Sequence, residues 1–451
     1  MTAVRRLVDS AWSACGESHR PVVAAIAERL RRPVRVKIIG RVSAGKSTLI
    51  NALVGRGIAA TAAQDCTRVT TVYTYGIPDR TTAIDRDGTE RVTGVGFDDR
   101  DEATADPTLS HLRVQLGSGL LKDLSLIDTP GQGSTLPTVS APIESGELEA
   151  DVLVLLFRGQ LRIDDTAVLD AFREATGSHQ PEAAACVGLL THADSFGEGP
   201  WGAQDPLDLA RRSAARLADR LRGHFSTVLA VSPMLAEVVR TGSLTGADHH
   251  LLRRLAALDD LTLQLSDQVP LPDDLTREQV RRLRSLVGGY GLRYGRQHAA
   301  TPTELSGWLL DRSGVTAAER HISTELLPIV RRGRADRALR ELVAVMGRTG
   351  FDQRLGAWVE EQIAGPAFQP VREYRAYRLL LRERPQSPLV ADLARLMAAD
   401  PPGGSPALFD AAARYQALVA TAPRRAEAEA ARVMSAGLLQ RALGTAQRRE
   451  V

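Results

Sequence analysis

The segment Gly40-Arg-Val-Ser-Ala-Gly45-Lys46-Ser47 constrains the fold more than any other stretch of this chain. Its two glycines let a backbone wrap closely around a phosphate, while successive N–H groups and the following helix N-terminus present positive ends to it. The flanks agree. Val34–Ile39 is an apolar, β-branched strand candidate, and KSTLINALVG carries a helix with Gly55 placed as its C-cap. In this arrangement Gly40, Arg41, Val42, Ser43, Ala44, Gly45, Lys46, Ser47 and Thr48 line bound phosphates. Lys46 is expected to reach the β- and γ-phosphates, and the Ser47 hydroxyl to ligate Mg²⁺. Lysine is otherwise found only at Lys37 and Lys122, so Lys46 stands out against an arginine background.

Beyond the loop, apolar strand candidates recur at Thr71–Tyr75, Leu124–Ile127, Asp151–Phe157, Ala184–Leu190 and Thr227–Val231. Helical stretches separate most of them. One starts with Asp205 as N-cap and Pro206 at the first helical position, then sets Leu207, Ala210, Ala214, Leu217 and Leu221 on one face. Buried strands alternating with such helices predict an α/β domain: a mixed, mostly parallel sheet with helices on both faces. Asp79–Ser110, rich in Asp, Gly and Thr, reads as a hairpin and exposed loop inserted in it.

Strand signals end near Ala236 and helical ones continue to Arg449, as in Ala335, Ala338, Leu339, Leu342 and Met346. Residues 1–33 also read as helix, with Val22, Ile26 and Leu30 on one face. The expected plan is therefore a nucleotide domain over 34–235 inserted in an all-α bundle made of 1–33 and 236–451. A chain of 451 residues with 43% hydrophobic content has material for two or three such cores.

Three further segments carry chemistry. In Leu126-Ile-Asp128-Thr-Pro-Gly131, a carboxylate at a strand's C-terminal end is placed to hold Mg²⁺, and the Gly131 amide to sense a γ-phosphate. Cys66-Thr67-Arg68-Val69-Thr70-Thr71 follows the loop helix, where a mobile threonine completes Mg²⁺ coordination; Thr67 is the first choice and Thr70 the reserve. Thr191-His192-Ala193-Asp194 follows a strand, and a carboxylate there accepts from both guanine N1–H and N2–H₂, a donor pair adenine lacks. His192 is expected to stack on the base, and Ser232, after the last strand, to lie near guanine O6. The predicted metal set is Ser47, Thr67 and Asp128, with GTP and GDP as substrate and product.

These segments, in this order and spacing, resemble the dynamin superfamily: GRVSAGKSTLINALVG, DCTRVTTVYTYG, DTPG and THAD. The nearer likeness is to bacterial dynamin-like proteins, including the isoniazid-inducible kind, and LLDRSGVTAAERHISTELLPIVRRGRADRALRELVAV resembles their neck region. The resemblance implies a GTPase on a helical neck, low guanine affinity with fast exchange, and nucleotide-dependent contact between the GTPase domains of two identical or paralogous subunits. In membrane-remodelling members it also implies a lipid-touching tip. It assigns catalytic roles to Lys46, Ser43, Thr67 and Gly131, with Ser43 helping to place a charge-compensating cation. Two positions depart from the pattern: Val42 stands where the family has a water-orienting glutamine, and His192 where it has a lysine. The chain is also shorter than members with a long trunk and paddle.

Composition bounds the rest. A net charge of +3 without a basic tail leaves no nucleic-acid footprint, which argues against a ribosome-associated GTPase. Cys15, Cys66 and Cys186 form no disulfide framework. The N-terminus lacks a signal-peptide pattern, and no run reaches the ~18 apolar residues that a spanning helix needs. A cytoplasmic protein, with peripheral contact at the anionic inner face of the cell membrane, is the expectation. Val42 keeps a second reading in view, a GTP-regulated switch or scaffold with negligible hydrolysis. His249-His250 reads as a solvated turn, and the six-arginine segment Arg424–Arg449 as a bundle helix with a solvated face.

Overall fold

A computed structural model describes residues 2–58, 69–94, 108–130, 148–161, 167, 169–170, 172, 185–222, 224–346, 353–398 and 405–447. Two compact units emerge. One is Val34–His179 with Ala185–Arg320; the other takes in Met1–Pro33 and His321–Val451.

The first unit is built on a sheet. Its strands are β1 Val34–Gly40, β2 Thr71–Tyr75, β3 Arg80–Asp85, β4 Glu90–Gly94, β5 Leu109–Leu116, β6 Leu124–Asp128, β7 Val152–Phe157, β8 Cys186–Leu190 and β9 Thr227–Ala230. They lie in the order β4-β3-β5-β2-β6-β1-β7-β8-β9. From β6 to β9 all neighbours run parallel. β2 is antiparallel to β6 but parallel to β5, and β3 pairs antiparallel with both β4 and β5. The parallel segment reads VLVLLF in β7 and CVGLL in β8, buried throughout, as strands covered on both faces require.

The expected strands are present, and so is the hairpin, as β3 and β4. One strand was not foreseen. β5 alternates buried Leu109, His111, Leu112, Val114 and Leu116 with Ser110, Arg113 and Gln115. That is a period-two signal, obscured by the polar stretch before it.

Helix Pro206–Arg220 starts as expected: Asp205 accepts from the N–H groups of Leu207 and Asp208. The sheet unit then continues past residue 235 to Arg320. Helices Pro233–Arg240, Gly246–Leu255, Arg277–Tyr294 and Pro302–Ser313 put Leu252, Leu283, Val287, Leu305 and Leu309 into one core with Leu153, Leu155 and Leu190 of the sheet. Strand signals stop at 235 because the core is completed by helices alone. His249-His250 lies within helix Gly246–Leu255, whose N-terminus is a reciprocal cap between Thr245 and Asp248; His249 is buried, so the solvated-turn reading is corrected.

The second unit is all helical. Residues 1–33 form two helices, Thr2–Ala14 and Arg20–Arg31, with Pro21 opening the second. The inward face of the latter is Val23, Ile26, Ala27 and Leu30, while Val22 is exposed. These residues pack with Ala335, Ala338, Leu339 and Leu342 of helix Leu327–Met346. Buried Asp336 in that helix is held by Arg340 and Arg375. Helices Gln369–Glu383, Pro388–Ala398, Ser405–Thr421 and Arg425–Gln447 form a further core around Leu380, Leu393, Met397, Met434 and Leu438. Among the described residues, no helix is long and apolar enough to cross a membrane.

Candidate functional site

The site forms where β1, β6, β7 and β8 end together. β1 pairs with β6 so that Ile38 lies opposite Asp128, and with β7 so that Gly40 lies opposite Leu156. A Cβ at Gly40 would come within 2.9 Å of the Leu156 carbonyl oxygen, so only glycine permits this approach. From Gly40 the chain turns through Ser43 (φ 59°) and Gly45 (φ 89°), both left-handed, into helix Lys46–Val54. The Ala44 N–H donates to the Arg41 carbonyl. Lys46 is buried, and its Nζ donates to the carbonyls of Gly40 at 3.1 Å and Arg41 at 3.4 Å. Ser47 and Thr48 follow, both half-buried.

Asp128 closes β6 and is almost wholly buried, at 1% exposure. The next residue, Thr129, donates its hydroxyl to the Ile38 carbonyl, pinning this strand end to β1. Ser47 and Asp128 offer an all-oxygen donor set, which is what a hard cation such as Mg²⁺ prefers. The third expected ligand, Thr67, and the γ-phosphate sensor Gly131 both lie outside the described residues. Val42 is 41% exposed at the loop's turn.

On the other side, β8 runs into Thr191, whose hydroxyl and N–H both donate to the Phe157 carbonyl. His192 adopts a left-handed conformation, φ 55° and ψ 36°. Its Nε2 donates to the Ser43 carbonyl at 2.9 Å. The expected ring at this position thus bonds directly to the phosphate loop. Ala193 N–H donates to the Val231 carbonyl, which joins this segment to the end of β9. Asp194 is half-buried, and among the described residues its carboxylate takes part in no hydrogen bond or ion pair. Ser232 is fully buried and its N–H donates to the Ser313 carbonyl.

Three residues, Asn51, Glu237 and Arg240, escaped sequence reasoning. Asn51, buried in the loop helix, accepts from the Ile58 N–H at 2.9 Å and donates to Glu237 Oε1 at 2.7 Å. Burial raises the Glu237 carboxyl above the ordinary carboxylate range, and the Asn51 hydrogen bond only partly opposes this. Arg240, on the same helix as Glu237, donates to the Ala52 carbonyl. The helix after Ser232 is therefore tied to the phosphate-loop helix at two points. A buried asparagine on an otherwise apolar helix face was the available signal.

The model of the dynamin family matches residues 36–192, from the first residues of β1 through the loop, Asp128 and His192. This segment belongs to the dynamin family. The isoniazid-induced protein IniC of Mycobacterium tuberculosis, from strains CDC 1551 and H37Rv, is 33% identical over 248 residues, 52% of this chain and 48% of that protein. The chain spans about half the length of these curated relatives. A solved structure of an oligomerised bacterial dynamin pair, described as a mechanism for long-range sensing and tethering of membranes, aligns with 99% of this chain and 90% of its own, at 11% identity and a TM-score of 0.36. An Aquifex aeolicus Era variant bound to GDP·AlF4⁻ aligns over 44% of this chain and 50% of its own, at 15% identity and a TM-score of 0.24. The dynamin segment ends at His192, and Asp194 and Ser232 lie just beyond it.

Proposed function

We propose that this dynamin-like protein binds and hydrolyses GTP with Mg²⁺ and couples nucleotide state to association with a second copy or a paralogue, and to peripheral contact with membrane. The observation that carries the reading is the 2.9 Å bond from His192 Nε2 to the Ser43 carbonyl. It joins the segment before Asp194 to the phosphate loop, which supports one site serving both guanine and its phosphates.

Each residue then has a task. The N–H groups of 40–48 and the helix N-terminus cradle phosphate oxygens. Lys46 exchanges its backbone carbonyl partners for the β- and γ-phosphates. Ser47 and Asp128, with Thr67, hold Mg²⁺, which when bound neutralises charge developing on the phosphates. The Asp194 carboxylate accepts from guanine N1–H and N2–H₂. Val42 offers no hydrogen bond to water, so orientation of the nucleophile falls to backbone near Gly131 and to Thr67. Ser43 supports the charge-compensating cation. A lone subunit turns over slowly under these conditions, and a second nucleotide domain packed across the site speeds it by holding the loops in place.

GTP turnover measured against protein concentration, with and without anionic liposomes, tests this. Specific activity is expected to rise with concentration, Thr67→Ala to lose turnover while retaining GDP binding, and Ser43→Ala to lower turnover more than binding. Flat specific activity over a wide concentration range, with wild-type turnover in Thr67→Ala, would sink the mechanism. The exposed Val42 side chain favours a second reading, a GTP-regulated switch or scaffold; GTP binding without turnover at any concentration or liposome content selects it.

A further inference from the structure

Helix Arg277–Tyr294 is broken inside its own length. Gly288 has φ 66° and ψ −178°, a combination essentially confined to glycine. The break lies beside the loop that carries the proposed base-recognition residue. A Cβ at Gly288 would stand 3.9 Å from Asp194 Oδ2 and 2.6 Å from Met234 Cε. At Gly289 a Cβ would stand 2.8 Å from Pro200 Cγ and 3.2 Å from Trp201 Nε1.

Two residues that follow the break, Tyr290 and Arg293, hold the later part of that loop. Arg293 Nη1 donates to the carbonyls of Pro200 at 2.6 Å and Gly202 at 2.8 Å, while its Nε pairs with Asp260. Tyr290 Oη donates to Asp205 Oδ2 at 3.1 Å, and Arg312 to the same oxygen at 2.5 Å. The chain from Asp194 to the N-cap Asp205 is thus held in its middle by Arg293 and at its end by Tyr290 and Arg312, while its start lies beside Gly288. A continuous helix would carry Tyr290 and Arg293 on another bearing.

We infer that the Gly288 break is a specificity-determining, positioning device: it sets the course of the loop that carries Asp194, and with it the reach of that carboxylate toward guanine's N1–H and N2–H₂. The inference rests on the proposed guanine reading of Asp194 and adds a cause for its geometry. Gly288 and Arg293 touch no nucleotide in this account; they act through the loop.

The test uses the full chain and three probes displacing fluorescent GDP: GDP, IDP, which lacks the exocyclic amine, and Mg²⁺-tripolyphosphate, which lacks a base. In Gly288→Ala and in Arg293→Gln, the GDP-to-IDP affinity ratio is expected to fall by roughly tenfold, the size of one lost hydrogen bond, with tripolyphosphate displacement unchanged. A merely structural defect lowers all three together. If Gly288→Ala fails to give a folded protein by circular dichroism, Arg293→Gln alone decides. A wild type that prefers GDP over ADP and whose variants keep the wild-type GDP-to-IDP ratio overturns the inference and leaves the guanine reading standing. A wild type that does not distinguish GDP from ADP overturns both.

Discussion

Cutting the chain after residue 235 removes helices from the middle of a core. Nearly half of the buried residues that pack with β7 and β8 lie beyond that point, from Val238 through Leu252, Leu283 and Tyr290 to Leu309. Full burial of one such side chain is worth about 1.5–3 kcal/mol. Leaving about five of their partners on the sheet side uncovered costs on the order of 10 kcal/mol, comparable with the 5–15 kcal/mol that typically separates folded from unfolded. A fragment of residues 34–235 is therefore expected to aggregate or to melt without cooperativity, whereas 34–320 gives a cooperative thermal transition and binds GDP. Leu252→Ala in the full chain is the milder form of the same perturbation, and as a large-to-small change at a fully buried site it should cost about 2–5 kcal/mol. Differential scanning calorimetry and size-exclusion chromatography on the two fragments provide the measurement. A monomeric 34–235 fragment with a cooperative melt and GDP affinity equal to that of 34–320 would refute the reasoning.

Other perturbations are simpler. Lys46→Ala removes the only ammonium in the phosphate loop and should abolish GDP binding in a fluorescence titration; retained binding would remove Lys46 from the site. Asp194→Asn should weaken GDP relative to ADP by about 1–3 kcal/mol, as expected when a hydrogen-bonded partner is lost, and equal competition by ATP in the wild type would refute guanine selectivity. Glu237 has a folded-state carboxyl raised above 4.5, so its contribution is complete below 4.5 and is lost as pH rises through the raised folded value. Glu237→Gln keeps an oxygen acceptor for Asn51 and is therefore expected to match or exceed wild-type stability at pH 7.5 and to lose that advantage at pH 4.5. Thermal melts showing a larger destabilisation at pH 7.5 than at pH 4.5 would contradict this.

The parts of the fold written in local chemistry were legible. Gly45 and Gly55 take the left-handed conformations their places in the loop and helix end suggest, and Asp205 caps its helix as its neighbours indicate. β7 and β8 announced themselves by unbroken apolar runs. What escaped notice depends on distance in sequence. The core contributions of helices 246–313 carry an ordinary amphipathic pattern, which says that a face is buried without saying against what. The sequence around Asn51 does not name its partner, Glu237, 186 positions later. The helix break at Gly288 sits in Val-Gly-Gly-Tyr-Gly, a visible run of glycines whose meaning lies in a loop almost a hundred residues upstream. His192 was expected to stack on a base, and its bond to Ser43 needed the two loops in one place.

The first helices of the chain wait for partners made near its end. The apolar faces of Thr2–Ala14 and Arg20–Arg31 pack against helix Leu327–Met346, and Arg334 donates to the Arg32 carbonyl across 302 positions. At about 5–20 residues per second, that separation is roughly 15–60 s of synthesis. Val4, Leu7, Val8, Ile26 and Leu30 spend this interval without their later cover while the whole sheet unit, which ends at Arg320, leaves the ribosome and folds. The helical unit is thus the last to close, and its earliest segment is the one exposed longest. Solubility during synthesis is therefore expected to depend on how these two helices are shielded over that interval.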